Sequence, residues 1–359
     1  MTFDFLLGPY ALGFLEGKVR RLNPLKLCDD PRGLSGTEVQ ALGLAHALAD
    51  LGHEVRLWSS WTEEVCREGA GRLLFRQLAD GQSGPPAEVA IAFHDPQPMR
   101  AWQAPIKFIW HQTVTPLEVA SMRQDPVHGY ISATLHNAWC LSQYTSPSTP
   151  WKVIANGWNF GTYCRPHPVP GRLFYHTSPE RGLHVLLKAL PLIQARVGAA
   201  HLVVWCRLET ARGHHDAIWQ QILHGLRACG ALVEVHGEGG SRNQVLKALS
   251  RAQVLAYPSE PNAPCEVMPM SVLEACATGV PVVCAPSDKF DKAFGKAIDV
   301  CPAPPSAHLE TFVAHVCRVL TEPRWAQTLR ERGVHFAAKR TFNDAAAHLL
   351  EWCAAAKAS

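Results

Sequence analysis

Residues 257–283 read YPSEPNAPCEVMPMSVLEACATGVPVV, and they contain the most informative pattern in the chain. An apolar run ends at Tyr257 and a Pro-rich loop follows it, which predicts a buried strand and its exit. A helix is predicted from Ser271 until Gly279, which supplies the stop signal. A second buried strand is predicted from Pro281. Strand, loop, helix and strand in succession are the repeating unit of a parallel α/β sheet.

The same alternation of strand and helix extends through most of the chain. Short apolar runs that are continuous rather than alternating predict strands buried on both faces, as parallel sheets require. These runs lie at residues 3–7, 55–58, 89–93, 106–110, 153–154, 172–175, 202–206, 232–235, 254–257 and 281–285. Apolar spacing predicts helices at residues 37–51, 217–228, 243–250 and 271–278, and a mainly helical chain from His308. Another helix is predicted to begin at Pro179, with Ser178 as its N-cap.

A Pro-rich stretch divides this pattern into two halves. Residues 160–171 contain three prolines and two glycines, and 359 residues at about 150 residues per domain predict two domains. We therefore predict an α/β fold with two doubly wound, Rossmann-like domains facing a central cleft. The predicted boundaries are 1–160 for the first domain, 161–171 for the linker, 172–335 for the second domain, and 336–359 for a helix returning to the first domain.

Composition narrows the class of function. The 34 Lys and Arg residues nearly balance 31 Asp and Glu residues, so no nucleic-acid partner is expected, although a peripheral contact with an anionic membrane stays open. The 12 cysteines include no CxxC pair, which argues against a structural zinc site. We see no leader peptide and no apolar run of 18 residues, so we expect a cytoplasmic protein without a transmembrane segment, with a peripheral contact at the inner membrane face left open.

Several familiar motifs are absent from the sequence. It contains no GxGxxG after the first strand, no GxxxxGK[ST] and no GxSxG, which argues against a dinucleotide oxidoreductase, a P-loop enzyme and an α/β-hydrolase. It also contains no DxD motif, so we predict no site for a metal-bound diphosphate.

Two glutamates flank the predicted loop-to-helix junction. Glu266 lies on the loop and Glu274 in the first turn of the helix, with seven residues between them. Free N–H groups and the helix dipole at such a helix start attract an anion such as a diphosphate. Glu274 could then accept two hydrogen bonds from a ribose diol, and Glu266 could reach a sugar on the far side of the phosphates. Ordinary surface carboxylates are the alternative for both residues.

The residues around these glutamates resemble the retaining glycosyltransferases of GT-B fold known as glycosyltransferase family 4. The shared pattern is a Glu, seven residues, a second Glu, and then Gly-x-Pro-Val-Val, as at 279–283 here. Three further segments resemble the family in the family's order: LSGTE followed by LGHEV (34–38 and 51–55), VIANG (153–157) and SPERGL (178–183). The resemblance therefore covers roughly residues 30–285.

The resemblance implies roles for individual residues. Glu274 would bind the nucleotide ribose and Glu266 the donor sugar, while Arg181 would contact the diphosphate. Gly36 would let the amino-terminal loop approach the same diphosphate, and His111 would lie near the transferred sugar. For His111, a capping or core histidine is the alternative. Backbone amides for the sugar and phosphates would come from the start of the predicted helix: Met268, Pro269, Met270 and Ser271.

Two positions depart from the family pattern. His176 stands where the family usually has an arginine on the diphosphate, and a neutral imidazole compensates negative charge less well. Either His176 is protonated, or another basic residue such as Arg172 or Arg207 replaces the arginine. Asn159 stands where the family often has aspartate.

The resemblance implies transfer of a sugar from a nucleoside diphosphate sugar to an acceptor hydroxyl, with retention and without metal or cofactor. The donor would be a UDP-, GDP- or ADP-sugar, and the acceptor a glycan, a lipid or a small molecule. A catalytically degenerate, nucleotide-sugar-binding subunit is one alternative, prompted by the missing arginine. A sugar-nucleotide epimerase of the same fold is another. Turnover of the donor discriminates an enzyme from a binding subunit.

Overall fold

The computed structural model describes residues 1–7, 14–15, 18–19, 22–31, 33–78, 83–93, 97–111, 127–208, 216–237, 239–259, 268–286 and 291–358, with backbone alone at 14–15, 18–19, 216 and 291. The chain divides into two compact units. The first unit contains Met1–Asp30, Leu34–Phe160 and Arg340–Ser359, and the second contains Pro31–Gly33 and Gly161–Lys339.

Strands and helices are numbered in chain order. The strands are β1 (Thr2–Leu7), β2 (Phe14–Leu15), β3 (Lys18–Val19), β4 (Glu54–Ser59), β5 (Val65–Glu68), β6 (Arg72–Gln77), β7 (Val89–Phe93), β8 (Ile106–His111), β9 (Gly129–Ser132), β10 (Trp151–Val153), β11 (Arg172–Tyr175), β12 (His201–Trp205), β13 (Val233–His236), β14 (Val254–Tyr257), β15 (Val282–Cys284) and β16 (Asp299–Val300). The helices are α1 (Gly36–Asp50), α2 (Leu135–Ser142), α3 (Leu183–Val197), α4 (Asp216–Cys229), α5 (Arg242–Leu249), α6 (Met270–Thr278), α7 (Asp291–Phe294), α8 (Leu309–Thr321), α9 (Pro323–Ala337) and α10 (Phe342–Ala358). Short 3-10 helices lie at Pro24–Asp29, Gln97–Ala101, Gly230–Leu232 and Gly295–Ala297.

The first unit is built on an eight-stranded sheet in the order β10-β9-β8-β7-β1-β4-β6-β5. All its pairs are parallel except β5 with β6. Helix α10, at the end of the chain, packs in this unit, where the Trp352 ring stacks on Phe108 at 4.1 Å between centroids. A Cβ on Gly43 of α1 would lie 2.2 Å from the Phe342 ring, so only glycine lets α1 and α10 approach this closely.

A buried carboxylate lies at the centre of this sheet. Asp4 on β1 is fully buried, and its two oxygens accept four hydrogen bonds: 2.7 and 3.0 Å from Arg56, 2.7 Å from the Trp58 indole and 2.6 Å from the Trp102 indole. Arg56 also donates to the carbonyl of Pro86 at 3.0 Å. Because each charge is both paired and hydrogen-bonded, the cost of burying the two ions is offset locally.

The chain leaves the first unit through a residue in the left-handed region. Asn159 has φ 78°, a conformation that asparagine adopts more readily than most residues. Its side-chain oxygen accepts a hydrogen bond of 3.1 Å from the backbone N–H of Phe342. This backbone role needs a side-chain oxygen as acceptor, which asparagine and the aspartate of the resembling family both supply.

The second unit is built on a six-stranded parallel sheet in the order β13-β12-β11-β14-β15-β16. The chain adds β11, β12 and β13 toward one edge and β14, β15 and β16 toward the other. This is the strand order of a Rossmann-type sheet, with its switch point between β11 and β14. Ligands of such sheets bind beyond the carboxyl ends of the strands at that point. One mainly parallel and one fully parallel sheet, each with its helices, confirm the predicted α/β fold class.

Several predicted details are wrong. Helix α3 begins at Leu183, with Gly182 as its N-cap, and residues 179–182 form a turn instead of the predicted first helical turn. Helix α6 begins at Met270, so Glu274 is its fifth residue and lies beyond the first turn. The strands β2, β3, β5, β6, β9 and β16 and the helices α2 and α7 were not predicted. None of the described helices is both long enough and apolar enough to cross a bilayer.

We expect Asp4→Asn to destabilise the first unit by about 3–5 kcal/mol, because the substitution leaves the Arg56 charge buried without a counter-ion. The free energy of unfolding is measured by urea denaturation. The matched control is Glu64→Gln, which removes a 2.7 Å carboxylate–Arg76 pair that is largely exposed and is expected to cost at most about 1 kcal/mol. Equal effects of the two substitutions would contradict the prediction.

Candidate functional site

The turn after β11 lies at the switch point of the second sheet. Tyr175 is fully buried, and its hydroxyl donates a 2.8 Å hydrogen bond to the carbonyl of Ser178. Burial raises the pKa of Tyr175 well above its ordinary value, so the hydroxyl stays protonated and remains a donor. Gly182 has φ 103°, and a Cβ there would lie 2.3 Å from the carbonyl oxygen of Pro258. Only glycine therefore allows this turn to pack against the chain leaving β14.

Arg181 is held within this turn. Its guanidinium donates to the Thr177 hydroxyl at 3.4 Å, and the Thr177 hydroxyl lies 3.4 Å from that of Tyr257 at the end of β14. Helix α3 begins two residues later, and Gly182 gives it no side-chain cap. The positive end of the helix dipole and the Arg181 charge therefore lie at the same edge of the sheet.

A buried ion pair joins α5 to α6. The guanidinium of Arg242, the first residue of α5, donates to Oε1 of Glu274 at 2.6 Å, and the two side chains are only 6% and 2% exposed. A second guanidinium nitrogen of Arg242 donates to the Tyr163 hydroxyl at 3.2 Å. Oε2 of Glu274 accepts no hydrogen bond from the residues that the structure describes.

His176, which directly follows β11, is neutral at physiological pH. Burial lowers its pKa below the ordinary value, and this effect exceeds the opposing attraction of Glu274. Its Nδ1 carries the proton and donates to the carbonyl of Trp205 at 2.7 Å. Neutral His176 therefore does not supply the positive charge that an arginine would bring to this position.

Arg172 and Arg207 were the replacements expected from the sequence for that arginine. Neither of them pairs with Glu274 in the part of the chain that the structure describes. Arg172 is the first residue of β11 and so lies at the amino edge of the sheet, where it pairs with Glu234 at 3.5 Å. Arg207 follows β12 and forms no ion pair with Glu274 among the described residues. The arginine that meets the buried carboxylate is Arg242, a residue that sequence reasoning missed.

The start of α6 is buried beside this pair. Met268, Met270 and Ser271 are 5%, 8% and 8% exposed. Pro269 is the N-cap and has no side-chain cap bond; its carbonyl accepts from the N–H groups of Val272 and Leu273, both at 3.2 Å. Proline has no backbone N–H, so Pro269 cannot be one of the predicted backbone donors to the sugar and phosphates. Glu266 lies outside the described residues.

The two predicted site residues of the first unit differ in exposure. His111 ends β8 and is fully buried, with ring centroids 5.8 Å from Tyr130 and 6.1 Å from Trp151. That surrounding is typical of a core histidine, the alternative weighed from the sequence. Gly36 is exposed and opens α1, whose N-cap Ser35 forms a capping box.

One local signal could have found Arg242. Ser241 and Gln244 form a capping box, with Ser241 Oγ accepting from the Gln244 N–H at 3.3 Å and Gln244 Oε1 accepting from the Ser241 N–H at 3.0 Å. That S-x-x-Q pattern follows a predicted strand, so it places Arg242 at the carboxyl edge of the sheet. No group of three or more potential metal ligands occurs in the part of the chain that the structure describes.

Comparisons with known proteins bear on the fold and on the family of the second unit. The sequence model of the family described as Glycosyl transferases group 1 matches residues 169–322. A search of curated proteins returns no match. Sucrose-phosphate synthase from Thermosynechococcus elongatus is similar in structure, with TM-score 0.71, 14% identity and 99% of each chain covered.

Two further solved structures are similar over nearly their whole length. HepE of Anabaena, in complex with UDP and glucose, has TM-score 0.66 and 13% identity, and covers 99% of this chain and 100% of its own. WaaG, a glycosyltransferase involved in lipopolysaccharide biosynthesis, has TM-score 0.62 and 14% identity, and covers 98% and 99%. These likenesses show the fold, and the family match adds the activity: the chain is a glycosyltransferase of GT-B fold whose second unit carries a glycosyl transferases group 1 domain.

Proposed function

We propose that the chain transfers a sugar from a nucleoside diphosphate sugar to an acceptor hydroxyl, with retention of configuration and without a metal ion. One observation carries the proposal: a buried carboxylate, Glu274, and a cation, Arg181, are held at the carboxyl edge of the same sheet, at its switch point. The Glu274 carboxylate can accept hydrogen bonds from a ribose diol, and the Arg181 guanidinium can pair with a diphosphate. The structure of HepE was solved with UDP and glucose, which supports a donor of this class.

The donor diphosphate gains negative charge as the bond to the sugar breaks. Arg181 and the amino end of α3 would stabilise that charge, because preorganised donors and dipoles act most strongly where charge develops. Retention is proposed from the resemblance to family 4, and the lack of a DxD motif supports a metal-independent reaction. The acceptor is proposed to be a glycan, a lipid or a small molecule. The nucleoside of the donor is proposed to be uridine, guanosine or adenosine.

We expect Glu274→Gln to weaken nucleotide binding about tenfold or more, because a charged acceptor of ribose hydrogen bonds becomes neutral. UDP, GDP and ADP are first screened by thermal shift, where a ligand raises the Tm of the protein that binds it. The Kd of the responding nucleotide is then measured by calorimetry. Glu234→Gln, a half-exposed carboxylate of the same unit, is the control. A folded Glu274→Gln protein with an unchanged Kd would refute the role of Glu274.

We expect Arg181→Ala to lower kcat by about 100-fold while changing KM for the donor less than tenfold, because its charge matters most in the transition state. Initial rates are measured in the presence of EDTA with the donor that carries the responding nucleotide. The control is Arg227→Ala, an exposed arginine on α4. A kcat equal to that of the control would remove Arg181 from the mechanism. Loss of wild-type transfer in EDTA would contradict metal independence, and absence of any donor turnover would favour the binding subunit.

We also propose a peripheral contact between the first unit and a bilayer, through a surface formed by Leu135, Trp139 and Tyr144. These side chains are 78%, 65% and 40% exposed, and the first two share one face of α2. Residues 126–151 contain no Asp, Glu, Lys or Arg, in a chain with 18% charged residues. Exposed tryptophan, tyrosine and leucine without charges suit insertion at a membrane interface. The contact is therefore apolar and does not need anionic lipid.

We expect the Leu135→Ser/Trp139→Ser protein to lose at least about tenfold in affinity for neutral phosphatidylcholine vesicles, because two apolar side chains no longer leave water. Binding is measured by co-sedimentation at low and high salt. Leu25→Ser removes a leucine that is 68% exposed elsewhere in the same unit and serves as the control. The proposed membrane contact would be refuted if the wild-type protein did not bind neutral vesicles, or bound only anionic vesicles at low salt.

A further inference from the structure

We propose that Arg242 is a positioning residue of the donor site, which holds the carboxylate of Glu274 in the orientation that accepts the ribose hydroxyls. The proposal rests on the proposed ribose-binding role of Glu274. Arg242 itself touches neither the diphosphate nor the reacting atoms in this proposal. Its effect passes through the carboxylate, and Tyr163 fixes the other side of its guanidinium.

The geometry supports a clamp. Arg242 uses one guanidinium nitrogen for Glu274 Oε1 at 2.6 Å and another for the Tyr163 hydroxyl at 3.2 Å. A planar guanidinium bound at two nitrogens cannot rotate freely, so it fixes the direction of the carboxylate it meets. Oε2, which accepts no hydrogen bond from the described residues, is left to a ligand. A lysine would keep the charge but lose the two-point geometry.

Electrostatics gives a second reason for Arg242. Glu274 is only 2% exposed, and an ionised carboxylate that deeply buried requires a paired charge. Among the described residues, the groups that face it are His176, Arg242 and, beyond Arg242, the Tyr163 hydroxyl. His176 is neutral because burial lowers its pKa. The positive charge beside the carboxylate therefore comes from α5 and not from the end of β11.

The backbone of α5 keeps Arg242 in place. Ser241, which is 5% exposed, caps the helix through the reciprocal hydrogen bonds with Gln244. Arg242 follows directly as the first helical residue, so its Cα is fixed by the cap. The side chain then reaches Glu274 across the space between α5 and α6. A positioning function needs this rigidity, because a loosely held arginine would not define the direction of the carboxylate.

Glu274 and the ribose remain in contact in both the ground state and the transition state. An interaction of equal strength in both states changes KM and leaves kcat unaltered. Arg242 variants should therefore raise KM for the donor about tenfold while kcat changes less than threefold. This pattern is the opposite of the one expected for Arg181, which acts on the leaving diphosphate.

The test compares each protein's preference for ribose over 2′-deoxyribose. Kd is measured by calorimetry for whichever of UDP, GDP and ADP raises the Tm, and for its 2′-deoxy analogue. The wild-type protein should prefer the ribonucleotide about tenfold. Arg242→Lys and Arg242→Met should reduce the preference to less than about twofold, with the affinity for the deoxy analogue changed less than threefold. Tyr163→Phe should give an intermediate preference, and exposed Arg251→Met should keep the wild-type value.

The outcomes separate the ribose-binding role of Glu274 from the positioning role of Arg242. If Glu274→Gln keeps the full preference, the ribose role of Glu274 fails and the inference fails with it. If Glu274→Gln loses the preference while Arg242→Lys and Tyr163→Phe keep it, only the inference fails. Equal weakening of both nucleotides in a folded Arg242 variant would show a merely structural residue. Tyr163→Phe, which deletes one hydroxyl, keeps the test valid where Arg242→Met does not fold.

Discussion

The close approach of Gly182 to the carbonyl of Pro258 is the constraint on which the rest of the donor site depends. With a Cβ position only 2.3 Å from that oxygen and φ at 103°, the turn after β11 accepts no other residue without moving. The contact holds together the exits of the two strands that flank the switch point. It also fixes where α3 begins, and therefore where Arg181 and the positive end of that helix lie. A backbone contact thus determines the position of a charge.

The two buried carboxylates of the chain illustrate different uses of the same chemistry. Asp4 accepts four hydrogen bonds with both oxygens, so its capacity is filled by the protein and its role is to hold β1 to its neighbours. Glu274 receives Arg242 on one oxygen. A buried carboxylate that the described residues satisfy on one side only is suited to an incoming hydroxyl donor. The degree of hydrogen-bond saturation therefore separates the structural carboxylate from the candidate ligand-binding one.

Local pattern predicted the sheets well and the site only in part. The continuous apolar runs of β7 and β14 identified parallel strands because burial on both faces leaves a clear signal. Strand β5 was missed because it is the edge strand of the first sheet and is mostly exposed. Strand β6 was missed because its apolar run is only three residues long, Leu73–Phe75, between polar residues. The Ser178–Pro179 cap pattern favoured an earlier start for α3, but the packing of Gly182 on Pro258 prevailed over it. The pair of Arg242 and Tyr163 spans 79 residues and has no local pattern at all.

The histidine at position 176 is best understood together with Arg242. Judged alone, a histidine in place of an arginine removes a charge from a site that must bind an anion. The structure adds that this histidine is neutral, with its proton committed to the Trp205 carbonyl. A cation nevertheless lies beside Glu274, because α5 supplies it from the third strand–helix unit of the sheet. In a doubly wound sheet the strand exits and helix starts meet at one edge, so the partner of a site carboxylate can come from a distant strand–helix unit. Glu274 therefore keeps a cationic partner although position 176 holds no arginine. The charge proposed for the diphosphate is that of Arg181, which the turn after β11 holds at the same edge.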